Sequence, residues 1–236
     1  MKLWKNFGSA QRKMSEKKPK MIWFRIARWM CKVFCKLFFK MRFYGKENIP
    51  AEEAFLLISN HQSFLDPVFC GISFKGPMYF LARHTLFKNK FFGGLIASVN
   101  TIPVRRGEAD LSAMKTVISK LKAGNGVCLF PEATRSRDGK ISAFKPGFGL
   151  LCRRGGAGIV PAVVDGAFEC WPRDKKLPSI GAKIIVQYGE YVTAEQIKKM
   201  NDRELAEKLT DTLRRMQNDC RIKQGKEPYD YSQREE

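Results

Sequence analysis

His61 and Asp66 stand five positions apart in the run Asn60-His61-Gln62-Ser63-Phe64-Leu65-Asp66, and of all the residues in the chain they are the best suited to proton transfer. An imidazole exchanges protons near neutral pH, and a carboxylate beside it fixes the protonated ring nitrogen and stabilises the imidazolium. The chain has only two histidines, so this one stands out. A plainer account also fits. Asp66 followed by Pro67 is a common helix start, with Asp as N-cap and Pro in the first turn, and a loop histidine is ordinarily just a satisfied polar group. The two accounts are compatible, because a capping carboxylate can also accept from an imidazole.

Two more loops gather charge. Phe130-Pro131-Glu132-Ala133-Thr134-Arg135-Ser136 carries an acid, two hydroxyls and a guanidinium, and Arg137, Lys140 and Lys145 follow. Ile102-Pro103-Val104-Arg105-Arg106-Gly107 ends in two arginines. Forked guanidinium donors suit phosphate oxygens, so two such loops at strand ends can form a phosphate clamp. The competing account is a solvated basic surface facing a membrane.

The elements that must position these residues alternate. Residues 54–59 read as a buried strand leading into the His61 turn, with a helix from Pro67. Short strands are expected at 42–45, 78–82, 101–104, 127–130, 158–164 and 183–188, and helices at 110–123 and 147–154. A helix from Thr85 is expected to stop at Gly93-Gly94. Capping boxes at Thr193/Gln196 and Asn201/Glu204 open a helical tail whose Leu205, Leu209, Leu213 and Met216 form a core stripe. The alternation predicts an α/β fold: a single domain with a largely parallel or mixed sheet flanked by helices. Ligands in such folds bind at strand ends.

The first 19 residues read as a basic leader. From Met21 onward, Arg25, Arg28, Lys32, Lys36 and Lys40 form a ridge on one helix face. Trp23, Phe24, Ile26, Met30, Val33, Phe34, Leu37 and Phe38 cover the rest. This is the pattern of an amphipathic interfacial helix on an anionic membrane, the alternative being a core-packing helix with a solvated basic edge. The division is therefore 1–41, leader and interfacial helix, and 42–236, the catalytic domain.

A net charge of +20 on 236 residues, 44% hydrophobic and 28% charged, indicates a globular chain attracted to polyanions. No recognised RNA- or DNA-reading motif is present and much of the charge lies on an apolar helix, so nucleic acid is disfavoured as a partner. The seven cysteines form no C-x-x-C pair and lie mostly in apolar runs, as core residues of a reducing compartment do, and no metal site is indicated. The chain shows neither a run of about 18 uncharged apolar residues nor a secretory signal, so a peripheral protein on the cytoplasmic face of a membrane is expected.

In order along the chain, these stretches resemble the glycerolipid acyltransferases, the group that includes 1-acylglycerol-3-phosphate acyltransferase. Residues 60–66 match N-H-x-S-x-x-D, residues 102–107 are similar to the second motif, and residues 130–136 to F-P-E-G-T-R-S. Phe144-Lys145-Pro146-Gly147 resembles the following F-K-x-G, and Val160-Pro161-Ala162-Val163 the fourth motif. Ala133 stands where the family has Gly, a change that costs about 1 kcal/mol if the position needs positive φ. Ala162 replaces a Val.

The resemblance implies direct attack of a lysophospholipid hydroxyl on an acyl thioester without an acyl-enzyme, with His61 as base and Asp66 as its orienter. It implies that Arg106, with Arg105, Arg135 and Lys145, holds the acceptor phosphate, and that Glu132 and Thr134 belong to the same acceptor site, with Glu132 positioning the glycerol part. The expected acceptor is lysophosphatidate, the alternatives being glycerol 3-phosphate or another lysophospholipid. The donor is acyl-CoA or acyl carrier protein, and no cofactor is required. A membrane-binding protein without catalysis is the remaining alternative.

Overall fold

The uncharged run Phe55–Ser59 forms the strand around which the sheet is built, and every one of its residues is buried. Side chains alternate across a strand, so Leu56 and Ile58 enter one core while Phe55 and Leu57 enter the other. The computed structural model describes residues 21–74, 76–105 and 110–232. They form α1 (Met21–Phe38), β1 (Lys40–Tyr44), β2 (Phe55–Ser59), α2 (Asp66–Gly71), β3 (Met78–Arg83), a 3-10 segment (His84–Lys88), α3 (Lys90–Ser98), β4 (Thr101–Val104), α4 (Leu111–Lys122), β5 (Gly126–Leu129), α5 (Phe148–Gly155), β6 (Gly158–Asp165), α6 (Ala167–Cys170), β7 (Lys183–Tyr188), α7 (Ala194–Lys198) and α8 (Asp202–Lys223).

The sheet order is β1-β7-β6-β2-β5-β3-β4. All neighbours are parallel except β6 and β7. The architecture is thus the expected α/β domain with a mostly parallel sheet. Helices α4, α5, α7 and α8 bury Val117, Leu151, Ile197 and the stripe Leu205, Leu209, Leu213 and Met216 on one face. Phe24 and Cys35 of α1, Phe69 of α2 and Cys170 of α6 enter the core on the other. Six of the seven cysteines are buried and Cys31 is half-buried.

The reversal at β7 fixes where α1 ends. Asp165, at the end of β6, pairs with Ile185 near the start of β7, and Lys183 pairs with Lys40 at the start of β1. Ala162 of β6 pairs in turn with Ser59, the residue before Asn60. The C-terminus of α1 and the loop 60–66 therefore emerge at the same edge of the sheet. Helix α1 is half anchored and half open: Phe24 and Cys35 are buried, whereas Trp29 and Leu37 are 64% and 72% exposed. Arg28 leaves the expected cationic ridge to donate to the Phe74 carbonyl, and Lys40 opens β1 instead of closing the helix.

Two local expectations differ. The stretch after β3 is broken into a 3-10 segment and α3, and α3 runs through Gly93-Gly94. Gly93 is buried against the backbone of Phe87, where a Cβ would lie 2.8 Å from its Cα and carbonyl oxygen, so this glycine permits close packing and does not end the helix. Asp66 is the first helical residue and makes no forward cap. Its carboxylate turns back into the preceding loop.

Asp165 is buried at the end of β6, where Gln224 Nε2 donates to its Oδ2 at 2.8 Å. Burial pushes its pKa up to about 6 against the partial opposition of Lys226. The folded state then holds a proton that the unfolded chain releases near pH 4, so this group's stabilisation is complete below about pH 4 and is lost as pH rises through about 6. Urea titrations of Asp165→Asn should lack this segment of slope, worth about 3 kcal/mol in the native protein.

Candidate active site

Asp66 is fully buried, and its Oδ2 accepts from the Gln62 and Ser63 amides at 2.6 and 2.7 Å and meets His61 Nδ1 at 2.8 Å. A carboxylate that already takes two amide donors is an acceptor, so Nδ1 carries the proton and Nε2 is left as a base. Asp66 Oδ1 is buried with no hydrogen-bond partner among the described residues. The predicted pair is therefore in contact, and the imidazole side chain is 13% exposed.

The loop after β5 holds His61 from the other side. Glu132 is buried, and its Oε1 accepts from the His61 amide at 2.7 Å while Oε2 accepts from the Ser142 amide at 3.1 Å. Ser136 N–H donates to the His61 carbonyl at 2.7 Å, and Phe130 stacks on the imidazole with centroids 4.3 Å apart. Both polar backbone groups of His61 and one face of its ring are thereby fixed. Glu132 ties the two loops together through their amides.

Asn60 clips the end of β2 to β6: its Nδ2 donates to the Val164 carbonyl at 3.0 Å and its Oδ1 accepts from the Val164 amide at 2.8 Å. The Arg135 guanidinium lies 3.4 Å from the centroid of the Phe64 ring, which brings the first and third motifs together. Arg105 is half-buried, and its amide donates to Asp110 Oδ2 at 3.0 Å. Thr134 and Lys145 are exposed. Arg106 lies outside the described residues.

Residues that the sequence reading did not single out complete the support. Gln62 Nε2 and Gln217 Nε2 both donate to the Gly139 carbonyl, at 2.6 and 2.8 Å. Tyr231 donates to Gln217 Oε1 and accepts from the Ile141 amide at 2.9 Å. The tail after α8 thus reaches the loop beside His61. Gln217 lies one position beyond the Met216 end of the apolar stripe, and that position was its only signal in the sequence.

Ala133 has φ 59°, the left-handed region. The condition attached to the missing glycine is met, since an L-residue there is strained by about 1–2 kcal/mol.

The mostly parallel α/β sheet carries at its strand ends a histidine locked to a buried carboxylate, packed against the arginine-bearing loop that follows β5. The sequence profile described as Acyltransferase matches residues 40–165, more than half of the chain, and the chain belongs to this family. It is 30% identical over 138 residues to a chloroplastic 1-acyl-sn-glycerol-3-phosphate acyltransferase of Arabidopsis thaliana, a match covering 57% of this chain and 38% of the relative. It is 31% identical over 136 residues to the 1-acyl-sn-glycerol-3-phosphate acyltransferase of Bacillus subtilis, covering 57% of this chain and 67% of the relative. Its fold is similar to the crystal structure of the 1-acyl-sn-glycerophosphate acyltransferase of Thermotoga maritima, with a TM-score of 0.70 at 23% identity, covering 92% of this chain and 89% of that one.

Replacing Ala133 by Gly should relieve the strained backbone and raise the urea midpoint by the equivalent of about 1 kcal/mol. An unchanged or lower midpoint would show that the left-handed conformation carries no cost here.

Proposed function

We propose that the protein transfers an acyl group from a thioester to the free hydroxyl of lysophosphatidate, giving phosphatidate, at a membrane surface. The observation that carries this reading is the 2.8 Å contact between His61 Nδ1 and Asp66 Oδ2. It leaves Nε2 to take the hydroxyl proton, which an unactivated alcohol must lose as it attacks a thioester carbonyl. The new C–O bond forms, the tetrahedral adduct collapses with cleavage of the C–S bond, and the proton on His61 passes to the departing thiolate. Asp66 holds the ring in place and stabilises the transient imidazolium. The thioester, on coenzyme A or on a carrier protein, is a co-substrate, and the reaction needs no redox group.

Arg105, Arg106, Arg135 and Lys145 supply the positive charge for the acceptor phosphate, and Thr134 supplies a hydroxyl. The relatives' names support the acceptor class, and the basic loops support its anionic head. The open apolar side of α1 supports a peripheral location. No helix among the described residues is long and apolar enough to cross a membrane.

His61→Ala should lower turnover with lysophosphatidate by about two to four orders of magnitude, the usual worth of a positioned base, while the thermal midpoint stays within a few degrees. Turnover close to that of the unaltered protein would sink the assignment. Initial rates with lysophosphatidate, glycerol 3-phosphate and a choline lysophospholipid, each with both donor types, identify the acceptor and donor. The Trp29→Asp and Leu37→Asp pair on α1 should release the protein from vesicles containing phosphatidylglycerol; undiminished binding would remove α1 from the membrane contact.

A further inference from the structure

The segment 171–181, between α6 and β7, lies beyond residues 40–165, which the Acyltransferase profile matches. It is held in one shape by its own bonds: Trp171 Nε1 donates to the Lys175 carbonyl at 3.0 Å and Ser179 N–H to the Cys170 carbonyl at 2.7 Å. Yet this ordered loop turns Leu177 and Ile180 outward, 77% and 71% exposed. Apolar side chains held in water by a braced backbone mark a surface that something else covers. Arg173, Lys175 and Lys176 are exposed around them, against the single acid Asp174.

The position of the loop identifies what covers it. Gly181 N–H donates to the Phe38 carbonyl at 2.8 Å, and Lys40 N–H to the Ala182 carbonyl at 3.0 Å, so Ile180 adjoins the open end of α1 where Leu37 is exposed. The exposed apolar residues of the helix end and of the loop are therefore joined by adjacent backbone bonds, and the charged residues of the loop are mostly cationic. At the loop's other end the Trp171 and Phe64 rings lie 5.0 Å apart, and Phe64 carries the Arg135 guanidinium. The loop thus spans from the end of α1 to the His61 loop, along the edge where an acceptor anchored in a bilayer must arrive.

We propose that the loop 171–181 is a second membrane-contacting element, which inserts Leu177 and Ile180 at the surface of an anionic bilayer while Arg173, Lys175 and Lys176 meet its headgroups. The proposal rests on the membrane-surface reading of α1 and extends it: a second contact, lying between the end of α1 and the His61 loop, carries the lipid-facing surface along the strand-end rim toward His61. Apolar insertion and basic side chains near anionic headgroups act together in such contacts.

The test uses the full chain and vesicles of phosphatidylcholine with and without phosphatidylglycerol. The Leu177→Asp, Ile180→Asp double variant should partition about tenfold or more weakly onto the anionic vesicles and show a raised KM for vesicle-borne lysophosphatidate. Its thermal midpoint and its turnover of a short-chain lysophosphatidate kept monomeric should be unchanged. If the unaltered protein does not partition at all, the reading of α1 fails and this proposal with it. If partition survives the loop change but is lost in Trp29→Asp, α1 binds membrane and the loop proposal alone is overturned. If the loop change abolishes self-association in sedimentation while leaving partition intact, the loop is a protein–protein surface and the proposal is likewise overturned.

Discussion

The site depends on one oxygen atom. Asp66 Oδ2 takes two backbone amides and an imidazole nitrogen at once, in a place that water does not reach. A carboxylate removed from water without compensation would cost several kcal/mol, so the loop 60–66 must wrap tightly enough to deliver all three donors. The ring orientation of His61 follows from that wrapping. The short helix α2 has the further effect of fixing Asp66 against the sheet, because Phe69 and Cys70 behind it are fully buried.

Glu132 applies the same solution to the neighbouring loop. Its two oxygens serve two amides from different segments, so a single buried acid sets the spacing between the His61 loop and the turn that leads to Phe144. Both acids act on backbone geometry first. The chemistry assigned to the site is consequently inseparable from its folding, and charged residues that look like reagents in the sequence act in part as ties.

Much of this was legible in the sequence for a simple reason. The strand signals are short uncharged runs, and the pair His61 and Asp66 is local, so neither requires knowledge of the rest of the chain. What the sequence hid was long-range or directional. The direction in which Asp66 points is set by the amides behind it, and the N-cap expectation, which looks only forward, missed it. Gly93 reads as a helix stop unless one knows that Phe87 packs against it. Gln217 and Tyr231 reach the loop at Gly139 and Ile141, beside His61, from near the other end of the chain, and no periodicity signals such a contact. Positive φ at Ala133 was foreseeable only as a condition, since the residue itself gives no sign of it.

The polarity of β1 has a consequence for what the protein can meet. Five residues of strand span about 17 Å, roughly the depth of the sheet. Because β1 runs with β7 and against β2, the end of α1 lies on the rim where the His61 loop emerges. Had β1 run the other way, the same helix with the same exposed tryptophan and leucine would end on the far rim, separated from the His61 loop by the thickness of the domain. One antiparallel pairing between β6 and β7 thus decides, before any side chain is chosen, that the open end of α1 and the imidazole of His61 share one rim.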